Sequence, residues 1–442
     1  MYNSAKLALS GLFAYALSTG TTYAETFDLQ SLYQSATLYD AGIAAAKSAY
    51  FAEKQDEDVA LAGLLPSLSA TASSGRTNGN KSPQADDSYE TLRYSVSLSQ
   101  PLLNVSNWYS LTASEQNSLR AEMAYLSEEQ DLILNVATAY FSVLRAKEDL
   151  TAARALEAAV KRQYEQAKEQ FDVGLIAITD VHEAKASFDD SQTIRIRAEG
   201  NLTLAIEQLS QLTGVFAADL EELKADFPIG VDPNTSTQSW VNAAHESNLA
   251  IKAAEYTLKT IEAQHRSSRA EHYPTLSLSA GYDYTELTNF APTDNEAEDS
   301  SIFLNLNVPI YSGGATQATV RKSRYLVEQA KHQVSSAKRQ AGIEARTEYI
   351  NLKTNVQTVE SLNQNIISRE SALEATREGY KVGTRNIVEV LDAERNYFTA
   401  LRDYASARFD FVESSLRLKQ STGTLNANDI AALNQWLEPA TK

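Results

Sequence analysis

Pro66-Ser67-Leu68-Ser69-Ala70 and Pro274-Thr275-Leu276-Ser277-Leu278 decide how this chain is read, because the second is the first repeated 208 residues later (274 − 66 = 208). Pro101 falls on Pro309 in the same register. One residue further on, Phe171-Asp172-Val173-Gly174 falls on Tyr380-Lys381-Val382-Gly383, and Asp180 falls on Glu389. Gln211-Leu212-Thr213-Gly214 then falls on Gln420-Ser421-Thr422-Gly423. Two halves that agree at turns and element ends imply one supersecondary unit used twice.

The segments beside these prolines alternate strictly. Leu68, Ala70 and Ala72 oppose Ser67, Ser69, Thr71 and Ser73; Leu92, Tyr94, Val96 and Leu98 oppose Arg93, Ser95, Ser97 and Ser99. In the second half Leu276, Leu278, Ala280, Tyr282 and Tyr284 oppose Ser277, Ser279, Gly281, Asp283 and Thr285. Ile302, Leu304, Leu306 and Val308 oppose Phe303, Asn305 and Asn307. Period two gives a strand with one apolar and one polar face. The pattern predicts two hairpins, 66–101 and 274–309, with strands of the length a membrane β-barrel uses. Trp108, Tyr109, Tyr273 and Tyr311 stand at the strand–helix junctions, where an interfacial girdle would lie. The hairpin tips, 76–88 and 286–300, are polar.

Everything between reads helical. No Gly or Pro interrupts Trp108–Phe171, and Ile133, Val136, Ala137, Tyr140, Val143 and Leu144 recur at helical spacing. That length suggests coiled-coil packing. Similar patterns predict helices over 28–64, 179–212, 236–272, 315–380 and 386–421. Each unit is then a helix, a hairpin, a longer helix, a Val-Gly turn and a returning helix. The chain divides into a signal (1–24), a first repeat (25–230), a second repeat (231–428) and a C-terminal tail (429–442). Four strands cannot close a barrel, and an open edge in lipid leaves backbone groups unsatisfied. Three copies give twelve strands and an open, wet interior; two give eight, which side chains fill.

Compartment follows from the first residues. Lys6 precedes an apolar run from Leu7 to Leu17, and small residues end at Thr22-Tyr23-Ala24 before Glu25. This is an export signal, too short to span a bilayer. Lys+Arg total 39 and Asp+Glu 57, a formal charge of −18 (39 − 57), or −19 without Lys6. Such a balance argues against a nucleic-acid partner. There is no cysteine, so neither disulfides nor a lipid anchor is expected. His182, His245, His265, His272 and His332 are scattered, and His182-Glu183 lacks the second His of a zinc helix. No phosphate loop or nucleophile elbow occurs, so no catalytic residues, metal or cofactor are expected.

The Pro-bounded hairpins, the paired Val-Gly turns, Ile178-Thr179-Asp180-Val181 and Val388-Glu389-Val390-Leu391-Asp392-Ala393 together resemble the TolC family of outer-membrane efflux and type I secretion ducts. The resemblance covers about Glu25 to Asn428. It implies a mostly α chain with a small transmembrane β part. Three copies would form a homotrimeric twelve-stranded β-barrel continuous with a long α-helical coiled-coil barrel. It implies outer-membrane lipid around the barrel, a periplasmic adaptor and an inner-membrane transporter as partners, and gating at the periplasmic tip. The missing anchor cysteine sets it nearer the unlipidated secretion branch.

The resemblance also assigns residues. Glu389 and Asp392 correspond to two acidic rings at the aperture, and Tyr380 and Arg385, with Asp180 and Thr179 on the neighbouring coil, to the network that holds the tip closed. The family carries Asp at both ring positions, so Glu389 departs by one methylene. Independently, Glu389 and Asp392 sit three apart in a helix's first turn, and six such carboxylates around one axis would repel and favour bound cations. A second reading stays open. Asn386 with Glu389 is a capping pattern, and acids suit helix N-termini anyway. Arg385 reads equally as a solvated turn residue, Asp180 as a dipole partner and Tyr380 as a core aromatic. Gly174 and Gly383 mark helix ends. The competing function is a soluble periplasmic coiled-coil adaptor or spacer; it shares the helices and the signal but needs no barrel-length strands.

Overall fold

The computed structural model describes residues 26–82, 85–288 and 295–439. The expected signal, 1–24, and parts of both hairpin tips lie outside these. The first half runs α1 (Leu29–Tyr39), α2 (Ala41–Ala62), β1 (Ser67–Ser82), β2 (Ala85–Leu103), α3 (Val105–Asp172), α4 (Ile178–Thr213) and β3 (Glu222–Leu223). The second runs α5 (Thr237–Ser247), α6 (Leu249–Ala270), β4 (Thr275–Thr288), β5 (Asn295–Asn307), α7 (Ala315–Lys381), α8 (Ile387–Ser421), α9 (Ala427–Asn434) and β6 (Leu437–Glu438).

The two long helices hold 68 and 67 residues, about 100 Å each at 1.5 Å per residue. α3 is uninterrupted because no Gly or Pro breaks it, and Asn104 caps its start by accepting from the Asn107 N–H at 3.1 Å. The helices expected over 28–64 and 236–272 are each broken once. Asp40 and Asn248, again 208 apart (248 − 40), leave the helical conformation with ψ 120° and 127°. Each caps the next helix: Asp40 accepts from the Ile43 N–H at 2.9 Å and Asn248 from the Ile251 N–H at 3.1 Å. A short carboxylate or amide that satisfies an orphan N–H outcompetes one more helical turn.

These breaks are where shorter helices meet end to end. Asn248 donates through Nδ2 to the Ser421 carbonyl at 2.8 Å, tying the end of α8 to the start of α6. Gly423 (φ 74°) follows, and a Cβ there would lie 2.4 Å from the Ser247 carbonyl oxygen. α3 therefore packs against α2 and α6 in one half of its length and against α4 and α8 in the other. Around its middle lies the main core. Tyr140, Phe141, Leu209, Leu220, Leu416 and Ile430 are fully buried there, and the Tyr140 hydroxyl donates to the Glu221 carbonyl at 2.7 Å. The segment expected as a tail from 429 starts inside α9, and β6 pairs antiparallel with β3 beside this core.

At the far end four strands form one antiparallel sheet in the order β1-β2-β4-β5. The β2–β4 ladder joins the two repeats, and β1 and β5 are left as its edges. The strands are 16, 19, 14 and 13 residues long, longer than their alternation predicted. The apolar face explains the excess. From Leu276 to Tyr284 is eight steps (284 − 276), about 27 Å of strand and roughly 21 Å of height at a ~40° tilt, near the ~25 Å apolar band of outer-membrane barrels. Tyr94 stacks on Tyr284 at 6.1 Å where that band ends. Beyond it the same face carries Glu298 opposite Tyr284 and Glu296 opposite Glu286, so the hydropathy signal stops while the ladder continues. At the other end Trp108, Tyr273 and Tyr311 are exposed.

No helix among the described residues is long and apolar enough to cross a membrane.

Candidate functional site at the helical tip

α3 and α7 end in the same way. Gly174 (φ 77°) and Gly383 (φ 76°) take the left-handed conformation. Leu175 N–H then bonds the Gln170 carbonyl at 2.9 Å, and Thr384 N–H the Gly379 carbonyl at 2.8 Å. These bonds absorb carbonyls that the helix end would strand. A Cβ at either glycine would meet nothing within 4 Å, so backbone conformation alone selects glycine.

The second turn carries the charge. Asn386 caps α8, accepting from the Glu389 N–H at 2.9 Å. The Glu389 carboxylate in turn accepts from Asn386 Nδ2 at 2.9 Å and from Arg385 Nη1 at 2.7 Å. Asp392 lies 3.5 Å from Arg395 one turn on. Asp392 is exposed and Glu389 half-buried; Arg385, in the turn before α8, holds Glu389, and Arg395 on α8 stands beside Asp392. Glu389 thus takes part in the cap while one face of its carboxylate stays in solvent, and capping and lining are not exclusive.

Tyr380 donates its hydroxyl to Gln170 Oε1 at 3.0 Å, joining α7 to α3. Burial pushes its pKa above the usual 10.0, and the Asp180 charge adds to the push. Asp180 lies in the first turn of α4 and Thr179 beside it is exposed. Within one chain, Arg385 is engaged by Glu389, and Tyr380 by Gln170.

A second bond set lies deeper in the coil. Glu394 is 0% exposed. Its Oε1 accepts from Arg377 Nη2 at 2.9 Å and from Gln163 Nε2 at 3.3 Å, so α8, α7 and α3 meet at one carboxylate. Ile387, Leu391, Val160 and Ala167 pack around this region, with Tyr164 stacked on Phe188 at 6.1 Å. Sequence reading missed Gln163, Gln170, Arg377 and Glu394. The signal was available for Glu394: Ile387, Leu391, Glu394 and Phe398 follow at core spacing, and a charge on that stripe needs a buried partner.

Comparison with known proteins gives the same architecture. The family described as outer membrane efflux protein matches twice, over residues 32–215 and 240–424. The chain is 36% identical over 382 residues to Outer membrane protein TolC of Vibrio cholerae serotype O1, covering 86% of each chain. It is 32% identical to Outer membrane protein TolC of Escherichia coli (strain K12), covering 98% of this chain and 89% of that one. In fold it matches the Campylobacter jejuni CmeC outer membrane channel with a TM-score of 0.76 over 98% of each chain, at 16% identity. These relatives do not favour a soluble adaptor. The chain belongs to the outer membrane efflux protein family and is an outer-membrane exit duct for efflux or type I secretion.

Proposed function

We propose that three copies close edge to edge, β5 of one against β1 of the next, into a twelve-stranded barrel standing on a coiled-coil tunnel that crosses the periplasm. The observation that carries this is the four-stranded sheet with two unpaired edges and an apolar face of membrane depth, on helices about 100 Å long. An open edge in lipid is not tolerated, and twelve strands leave a wet lumen for the Ser-, Thr- and Asn-rich face.

At the opposite end, Glu389 and Asp392 form two acidic rings of three around the aperture. Tyr380, Arg385, Asp180 and Thr179 hold the coils together. Glu394 is the internal brace: its bonds to Arg377 and Gln163 keep the second coil seated on the first. A periplasmic adaptor and an inner-membrane transporter supply recognition and energy, and their docking draws the coils outward about Gly174 and Gly383.

Mass determination in detergent tests the assembly. The expected mass of the protein component is three times that of the mature chain; a monodisperse, detergent-free monomer would overturn the reading. Arg385→Ser with Tyr380→Phe tests the closure: conductance in planar bilayers should rise several-fold, and no change would remove these residues from it.

A further inference from the structure

Over the membrane-depth rows, one face of the sheet is hydrophilic except for Pro101 at its helix-side end and one aromatic ring within it. From β5 inward, the rows read Asn305–Ser277, Ser301–Gly281–Ser97–Ser69 and Asp299–Asp283–Ser95–Thr71. Ser69 and Ser97 hydroxyls bond at 2.8 Å, Thr71 and Ser95 at 2.7 Å, and Asn305 Nδ2 donates to Ser279 at 2.9 Å. Between these rows stands Phe303, opposite Ser279 and in line with Ser99 and Ser67. Its neighbours Ile302 and Leu304 point to the lipid face. Phe303 does not, and it is 59% exposed.

An exposed phenyl ring among hydroxyls forgoes the gain of burying its apolar area. Nor would assembly cover it. The strand that meets β5 in a closed barrel is β1, whose same-face residues are Ser67, Ser69, Thr71, Ser73 and Gly75. Any register therefore places a small residue beside Phe303. Strands about 4.8 Å apart and tilted ~40° make a twelve-stranded barrel roughly 24 Å across between backbones.

We propose that three Phe303 rings, one per copy, form an apolar collar in the barrel lumen that binds the aromatic or apolar parts of passing cargo. The inference rests on the trimeric barrel proposed above. The collar lies near the periplasmic edge of the membrane, three residues along β4 from Leu276 (279 − 276), about 10 Å of strand. Cargo leaving the helical tunnel meets it at the entry to the barrel. Four residues further along β5 (303 − 299), Asp299 faces Asp283 across the ladder, about 13 Å of strand away. An organic cation with apolar substituents would place its rings at the collar while its charge is balanced above. Phe303 thus makes the exit a weakly selective contact rather than a neutral pipe.

The test is current block in planar bilayers with tetraphenylphosphonium added on the barrel side. Tetramethylammonium serves as a control of equal charge without rings. Wild type should be blocked by the phosphonium and not by tetramethylammonium. Phe303→Ser should weaken the phosphonium block roughly tenfold, the scale of cation–π and apolar contact with several rings. Phe303→Tyr, which keeps the ring, should retain it. Equal block in wild type and Phe303→Ser, with channels formed by both, would overturn the collar and leave the barrel intact. Channels formed by none of the proteins would overturn the trimeric barrel itself.

Discussion

The turn after α3 and the turn after α7 share a backbone and an exposed valine before the glycine, and differ in the residues that follow it. Gly174 and Gly383 have φ of 77° and 76°, and both are followed by a bond back to the helix five residues earlier. The first turn then continues Leu175-Ile176-Ala177, with Val173 and Leu175 at least 70% exposed and α4 lacking a side-chain cap. The second continues Thr384-Arg385-Asn386, with Asn386 capping α8 and Glu389 bonded by two neighbours. Duplication fixed the geometry, and the chemistry then diverged. The apolar turn is suited to being covered by another surface, whereas the charged turn is suited to facing water and ions.

Variants that break this comparison should differ in size. The largest effect belongs to Arg377→Ala, which leaves the fully buried Glu394 unpaired at a cost of about 3 kcal/mol. Hydrogen exchange should show the second coil's tip opening far more often while the first is less affected. Gly174→Ala and Gly383→Ala come next. Nothing crowds either position, so both pay only the left-handed backbone penalty, about 1–2 kcal/mol. Thermal unfolding should give nearly equal losses; a clear inequality would show that the turns are not equivalent backbones.

Smaller effects sharpen the contrast. Asn386→Ala should destabilise α8 by about 1 kcal/mol, while Ala177→Asn should stabilise α4 by a similar amount by giving the first turn the missing cap. Hydrogen exchange of each helix's first turn checks both. The smallest effect is on pH dependence. Tyr380 has a raised pKa in the folded tip, so the stability it contributes is complete below pH 10.0 and is lost as pH rises through its folded value. Ultraviolet titration should find it ionising later than free tyrosine, and Asp180→Asn should move that ionisation down.

The strands were legible to the depth at which one face must be apolar, and no further. Past Tyr284 the outward face of β4 and β5 is acidic at Glu286 and Glu296, and on β2 Leu92 gives way to Glu90, so a reading based on alternation stops although the backbone pairs on. Of the long helices, α3 was legible because neither Gly nor Pro occurs in it, and α7 because its Gly342 and Gly379 stand singly in a Pro-free run of good helix formers. The breaks at Asp40 and Asn248 were hidden in Ala-rich surroundings, where a single Asx reads as a tolerated polar residue. At the tip, Glu389 and Asp392 were visible as acids in a first turn. Gln163 and Gln170 were not visible, because a glutamine on a long helix acquires meaning only from what another helix brings opposite it.

Single-channel recording of wild type against Glu389→Ala with Asp392→Ala, titrated with a trivalent cation, tests the central claim most directly. A small wild-type conductance, blocked by the cation, with the block lost in the double variant, is the expected result. Channels blocked equally in both proteins would contradict an acidic aperture at these residues and leave Glu389 to its cap alone.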